Sequence, residues 1–409
     1  MNKIFSGMML MLLSMSILNN GSLFSVSHSS PISLVTSIPV GNNPKAIAVN
    51  PRTNRIYVVN QGDLTVSVID GSTNSVISSF PAEGGWGIAV NPNTNLIYMA
   101  GGHTGGPRVV AVDGHTNMVA ANFSLSPPLN FTLAFPWGVA VNPTTNLIYV
   151  ALHETHNQTE NVVVIDGNPA NLTFHQVLQV VDLPCPSDPQ EIAVNPATNR
   201  IYVTATGSVD VIDGSTNTFL TNINISAGIQ VCVNPDTNLI YVPGYDPIPP
   251  NDRVFIIDGD TNSVIDSIPG VSGGIAVNPS SNHVFVLNAS SPGSVYVIDG
   301  FTNLIISPPI PVGDSPYYAA VNPVTNRVYV TNFGSNDVSV LSDFTPLWPM
   351  FRHDSAHTGK SLWPAPNTNA TLWNYPTSGN IFSSPAVADG KVFVGCYDNN
   401  VYAIDALNG

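Results

Sequence analysis

An eleven-residue phrase, AVNPRTNRIYV at Ala48 to Val58, occurs in seven close copies along this 409-residue chain. The copies begin at Ala48, Ala89, Ala140, Ala193, Cys232, Ala276 and Ala320. Their Asn-Pro asparagines are Asn50, Asn91, Asn142, Asn195, Asn234, Asn278 and Asn322, spaced by 41, 51, 53, 39, 44 and 44 residues. A unit repeated at this period cannot bury its apolar face alone and must stack against its neighbours.

Within one unit, Lys45 to Pro81, runs rich in Val, Ile and Tyr alternate with clusters of Asn, Pro, Gly and Thr, which reads as strands and turns. The stretch AIAV is wholly apolar, as an innermost strand A buried on both faces should be. RIYVVN and TVSVID follow as strands B and C, and the mixed SVISSF reads as a half-exposed outer strand D. In the A-B link, Pro51 presets φ for a turn, while Asn50 and Asn54 bond nearby backbone or accept left-handed geometry. The C-D link DGSTN repeats that chemistry, so Asp70, Asp113, Asp166, Asp213, Asp258 and Asp299 are turn residues rather than catalysts. Both links fall on one rim of a ring. A period of about 40 to 50 residues with four strands per unit predicts an all-β, seven-bladed β-propeller. The seventh unit has strands A to C and no following D, whereas Ile32 to Gly41 resembles a D strand and precedes the first unit. The N-terminal strand is therefore expected to close the ring and hide a sheet edge.

The first residues place one lysine ahead of an apolar run from Ile4 to Leu18, too short for a membrane span and suited to a secretory signal peptide over residues 1–27. The chain is thus expected to be secreted or held at the cell surface, with no membrane span after the signal. Only 11 residues are basic against 26 acidic, and the net charge of -15 argues against nucleic acid as a partner. Cys185, Cys232 and Cys396 leave at least one thiol unpaired and show no CxxC spacing.

RVYVTN at Arg327 to Asn332, with RIYVVN and RIYVTA elsewhere, resembles the YVTN-repeat β-propellers of exported and surface proteins, over residues 32 to 343. That resemblance implies a surface propeller and carries little assigned chemistry. Beyond a linker at 344–380, IFSSPAVADGKVFVGCYDNNVYAIDALNG (381–409) resembles one repeat of the propellers of pyrroloquinoline quinone (PQQ) enzymes. It reads as a one-blade fragment of a second, PQQ-like propeller. One blade cannot enclose a quinone, so no cofactor is expected, a divalent metal apart.

The A-B and C-D turns hardly vary between units, whereas the D-A and B-C connections do, which places function on the second rim. Five residues before each Asn-Pro asparagine stand Lys45, Trp86, Trp137, Gln190, Ile229, Gly273 and Tyr317, at the top of strand A beside the central channel. The ligand-binding candidates are Lys45, Trp86, Trp137, Gln190 and Tyr317, because aromatic rings with polar handles suit a sugar or peptide surface. Metal-binding candidates are His103 in GGHTGG and His153, Glu154 and His156 in LHETHNQTEN, from adjacent blades. The second stretch is one residue short of HExxH and lies in a loop, where the helical spacing of that motif does not apply. GVSGG (Gly270 to Gly274) lacks the helix of a nucleophile elbow, and DGDTN (Asp258 to Asn262) lacks the glycine and glutamate of a calcium loop. No catalytic residue is assigned. The expected function is a non-catalytic binding or scaffold module for a glycan, protein or cell-envelope component. The alternatives are a propeller enzyme of the metal-dependent lactonase or lyase type, or part of a quinoprotein-like multidomain protein. For an enzyme, strand A offers only Lys45, Gln190, Glu191 and Gln230.

Overall fold

A computed structural model describes residues 32–343 and 375–405, except 83–84, 102–105, 126–133, 155–159, 185–187, 247–248, 307, 382, 384 and 389–390. Residues 1–27, read from the sequence as a signal peptide, and most of the linker lie outside the described residues.

The chain forms a seven-bladed β-propeller. In blade one, strands A to D are Pro44–Asn50, Arg55–Asn60, Thr65–Asp70 and Ser75–Pro81, hydrogen-bonded in sequence order. Blades two to five repeat that order, their A strands being Gly85–Asn91, Ala134–Asn142, Ile192–Asn195 and Cys232–Asn234. In blade six the D strand is split into Leu304–Ile305 and Ile310–Val312, both paired with the C strand Gly293–Asp299. The intervening Pro308 and Pro309 have no N–H to give to a ladder. Blade seven takes Pro316–Asn322, Arg327–Asn332 and Asp337–Asp343 as strands A to C. Its fourth strand is Ile32–Pro39, paired antiparallel from Ile32↔Asp343 to Pro39↔Asp337, so the N-terminal strand closes the ring as its sequence predicts. Three further antiparallel strands, Ala386–Ala388, Lys391–Gly395 and Val401–Asp405, form a separate small sheet.

Seven hydrophobic clusters lie around the ring, one between each pair of neighbouring blades. Strand B is the most buried layer, with Tyr57, Tyr98, Tyr149, Tyr202, Tyr241 and Tyr329 wholly enclosed and Phe285 in the same place in blade six. Strand A is less buried than its apolar sequence suggests. Tyr318 to Val321 are only half-buried, because the inner edge of each A strand borders an open channel.

The repeated asparagines explain why the phrase is repeated. Each Asn-Pro asparagine accepts the N–H two residues on, as Asn50 does from Arg52 at 3.0 Å, closing its own turn. Its Nδ2 then donates to the side-chain oxygen of the turn asparagine in the next blade: Asn50 to Asn95 at 2.7 Å, Asn91 to Asn146 at 2.9 Å, Asn142 to Asn199 at 2.7 Å, and Asn195 to Asn238 at 2.7 Å. The series continues through Asn234 to Asn282 at 2.7 Å and Asn278 to Asn326 at 3.0 Å, and Asn322 to Asn54 at 2.8 Å completes the circle. The accepting asparagines have φ between 48° and 60°, the left-handed region asparagine tolerates. Against six of them lies the C-D turn glycine. A Cβ on Gly71 would stand 2.4 Å from Asn54 Oδ1.

Blade seven has Asp343 at that glycine's position. Its buried carboxylate accepts from Asn278 Nδ2 at 2.6 Å and Ser281 Oγ at 2.5 Å and pairs with His283 Nδ1 at 2.7 Å, bridging blades six and seven. His283 is thus a structural histidine. His115, in a C-D turn, is exposed.

Candidate functional site

On the rim opposite the asparagine circle, Lys45, Trp86, Trp137, Gln190, Ile229 and Tyr317 converge at the channel mouth together with Glu191 and Tyr318. Six of the seven residues at the sequence-derived position therefore share one site. Gly273 is the exception. Its φ of 146° and the 2.0 Å from its would-be Cβ to Leu287 O leave no room for a side chain.

Four of the converging residues are aimed by the same device. The A-B register shifts between Pro44 and Ile47, Gly85 and Gly87, Pro136 and Val139, and Pro316 and Ala319. Lys45, Trp86, Trp137 and Tyr317 each lie inside such an irregularity, which breaks the two-residue alternation and turns the side chain toward the axis. In blades four to six the A strand starts later, at Ile192, Cys232 and Ile275, so Gln190, Ile229 and Gly273 lie in the lead-in segment.

Trp86 and Trp137 stack at a centroid distance of 5.4 Å and an interplanar angle of 19°. Lys45 Nζ stands 4.1 Å from the Trp86 ring centroid and 4.9 Å from that of Tyr317, within cation–π range of both. These rings fill the mouth almost completely, leaving about 10 Å³, no more than one water needs. Gln190 Oε1 is buried there with no hydrogen-bond partner among the described residues.

Beneath the rings, side chains cross the channel. Tyr318 Oη of blade seven donates to Glu191 Oε2 of blade four at 2.6 Å. Gln230 of blade five donates from Nε2 to Tyr317 O at 2.8 Å and accepts from Ile275 N–H of blade six at 3.0 Å. The threonine of the YVT phrase anchors the next blade's lead-in. Thr331 Oγ1 donates to Lys45 O at 2.8 Å and accepts Tyr318 N–H at 3.1 Å, and Thr204 Oγ1 donates to Ile229 O at 2.6 Å and accepts Glu191 N–H at 3.1 Å.

Burial dominates the site's protonation. It pushes the Glu191 carboxyl up to about 7, opposed by the Tyr318 hydrogen bond and, more weakly, by Lys45 acting through space. It lowers the Lys45 ammonium, against the pull of Glu191, and raises the phenols of Tyr317 and Tyr318. Glu191 is only half-buried by exposure, and the exposed part faces the channel rather than bulk solvent.

Of the metal-binding candidates, His153 pairs through Nδ1 with Asp188 Oδ1 at 2.6 Å, a partner from blade four that the sequence reading missed. His103, His156 and the Glu154 side chain lie outside the described residues, as does Cys185. Among the described residues no three His, Cys, Asp or Glu side chains are grouped to hold a metal ion. Among the described residues Cys232 and Cys396 are free thiols, and burial holds that of Cys232 far above its ordinary value.

Tyr318, Thr204 and Thr331 were absent from the sequence-derived site. Tyr318 neighbours a chosen aromatic, but its reach across the ring depends on the bulge, which leaves no mark in composition.

No family model matches the chain. The human (Homo sapiens) beta-alanine-activating enzyme is 32% identical over 92 residues, which cover 21% of this chain and 7% of that protein. The chain thus spans a small fraction of that relative's length. Among solved structures, Kuenenia stuttgartiensis hydrazine synthase superposes with a TM-score of 0.61 at 17% identity, covering 73% of this chain and 95% of that chain. Likeness at that identity concerns the fold alone, and the fold it supports is the β-propeller.

Proposed function

We propose that this chain is an exported propeller of the YVTN-repeat type, a non-catalytic recognition module that reads a cell-envelope or extracellular glycan through its aromatic channel mouth. The carrying observation is the stacked, half-exposed Trp86 and Trp137 pair, with Lys45 braced between Trp86 and Tyr317. Indole faces held rigid in advance supply apolar contact to sugar C–H faces with little ordering left to do. Gln190 Oε1, without a partner among the described residues, supplies an acceptor for a sugar hydroxyl. In the same reading, 381–409 is a blade of a second, PQQ-like propeller that displays or extends the first.

Titration of envelope polysaccharides and short glycans against the full chain, followed by tryptophan fluorescence and thermal melting, tests the reading. A glycan that quenches fluorescence and raises the melting temperature, both effects vanishing in Trp137→Ala, is the expected result. A response unchanged in Trp86→Ala and Trp137→Ala, or none across the panel, defeats it.

A further inference from the structure

Below the aromatic mouth the channel widens into a chamber of about 410 Å³, within the size range of small-molecule sites. All seven blades line it, mainly with Ala, Val and Ile of the A strands. Its lining runs from Glu191 and Tyr318, shared with the mouth, to Pro279 and Pro323 on the Asn-Pro rim. The chamber is therefore closed by the ring plug at one end and reaches toward the opposite rim at the other. Each A strand is the innermost of its sheet, so its inner edge presents backbone N–H and C=O groups to the chamber.

Few side chains there can read a ligand. Gln230 uses both ends of its amide in the wall, Tyr318 gives its proton to Glu191, and Cys232 is a neutral thiol. Among the described lining side chains, the Glu191 carboxyl retains an open position, since Tyr318 is bound to Oε2 and Ile192 N–H approaches Oε1 only at 3.4 Å.

We infer that this chamber binds a small neutral molecule bearing a carbonyl acceptor, an amide, lactam or lactone, held at the closed end by a hydrogen bond from the Glu191 carboxyl. Burial raises that carboxyl to about 7, so about half of it carries the proton at neutrality and most of it at pH 6, as in buried acids that serve as hydrogen-bond donors. The other titratable groups bearing on it are Lys45, Tyr317 and Tyr318. A cation would meet Lys45, and an anion would meet the ionised share of Glu191. A neutral acceptor meets neither, and the strand edges offer its remaining polar atoms partners of both kinds. The site uses the opposite side of the plug from the proposed glycan surface and does not depend on that reading.

Ligand-observed NMR titration of the full chain with hexanamide, hexylamine and hexanoate at pH 6 and pH 8 provides the test. Hexanamide is expected to bind best, and about tenfold more weakly at pH 8, as the protonated share of a carboxyl titrating at about 7 falls about tenfold. In Glu191→Gln an amide N–H replaces the carboxyl proton, so hexanamide binding should persist with its pH dependence gone. In Glu191→Leu it should be lost. Absence of hexanamide binding at pH 6, preference for hexylamine or hexanoate, or a pH slope surviving in Glu191→Gln would each overturn the assignment. The probe and pH comparisons need no variant, so they decide even where a variant does not fold.

Discussion

Asp210 offers a sharp test of how strictly the repeat governs this fold. It lies in the C strand Ser208–Asp213 of blade four, opposite Val203, and only 1% of it is exposed. Blades one and seven carry Ser67 and Ser339 at this position, each accepting from an asparagine on strand B: Asn60 Nδ2 at 2.8 Å and Asn332 Nδ2 at 2.9 Å. Blade four has Ala205 where that asparagine stands, so the donor is missing. One Asp210 oxygen accepts weakly from Ser208 Oγ at 3.3 Å, and the other has no partner among the described residues. Burial therefore pushes the carboxyl from 3.8 up to about 6.

A carboxyl raised in the folded state binds its proton more tightly there than in the unfolded chain. Its contribution is complete below about pH 3.8, is lost as pH rises toward about 6, and stays lost above. Roughly two pH units at 1.36 kcal/mol each make that loss about 3 kcal/mol. Asp210→Asn keeps the shape and removes the titration. Any fixed penalty of the new amide enters at all pH values. The stability difference, variant minus parent, should therefore grow by about 2.4 kcal/mol between pH 4 and pH 8, the rest of the loss lying below pH 4. Denaturant unfolding followed by circular dichroism at pH 4, 6 and 8 measures it. A difference that is flat or narrows with pH refutes the reasoning. Ala205→Asn, which restores the donor of blades one and seven, should recover part of the same stability with Asp210 in place.

Three further outcomes follow from the geometry. Asn195→Ala removes one link of the circle and leaves the Asn238 oxygen and the Ala197 N–H without their partners; a loss of about 1–3 kcal/mol is expected in the same unfolding assay. Deleting residues 1–39 exposes the Asp337–Asp343 edge and removes Ile32 and Ile38 from two cores, so the shortened chain should aggregate or lose more than 15 °C in melting temperature, on the order expected for losing two buried isoleucines and a ladder. Thr331→Val unties the Lys45 backbone while keeping the side-chain shape, and should weaken any ligand of the aromatic mouth several-fold with a stability change of about 1 kcal/mol; unchanged affinity would show the tether to be dispensable.

Much of the fold was legible because its information is local. Pro51 and Asn54 set one turn, Asp70 and Gly71 the next, and the same choices return in nearly every unit, so strand order and ring closure by Ile32–Pro39 could be read from sequence. Departures from the repeat were harder. Asp343 in place of glycine makes sense only beside His283 and Ser281, about sixty residues away in the chain. The part-open state of strand A was likewise hidden, since an apolar strand beside a channel and one sealed in a core have the same composition.

That these side chains meet at the channel mouth was legible, how they are held there was not, and the two rims explain why. On the Asn-Pro rim each asparagine carboxamide serves its own turn and its neighbour's, while each glycine yields space to an asparagine, so a substitution there disturbs two blades. Between the units of this chain the residues differ more on the other rim, and counting five residues back from each asparagine led to Lys45, Trp86, Trp137, Gln190 and Tyr317. Counting could not reveal that bulges aim four of these side chains, or that Thr204 and Thr331, ordinary β-formers in a repeated phrase, hold the lead-ins in register. Those threonines sit at the end of strand B in the sequence and at the channel mouth in space. In blades four and seven the YVT phrase therefore serves core and rim: its tyrosine packs the inter-blade core, and its threonine fixes the segment from which the variable residues project. The same scaffold can thus hold different side chains over the channel without remaking the ring.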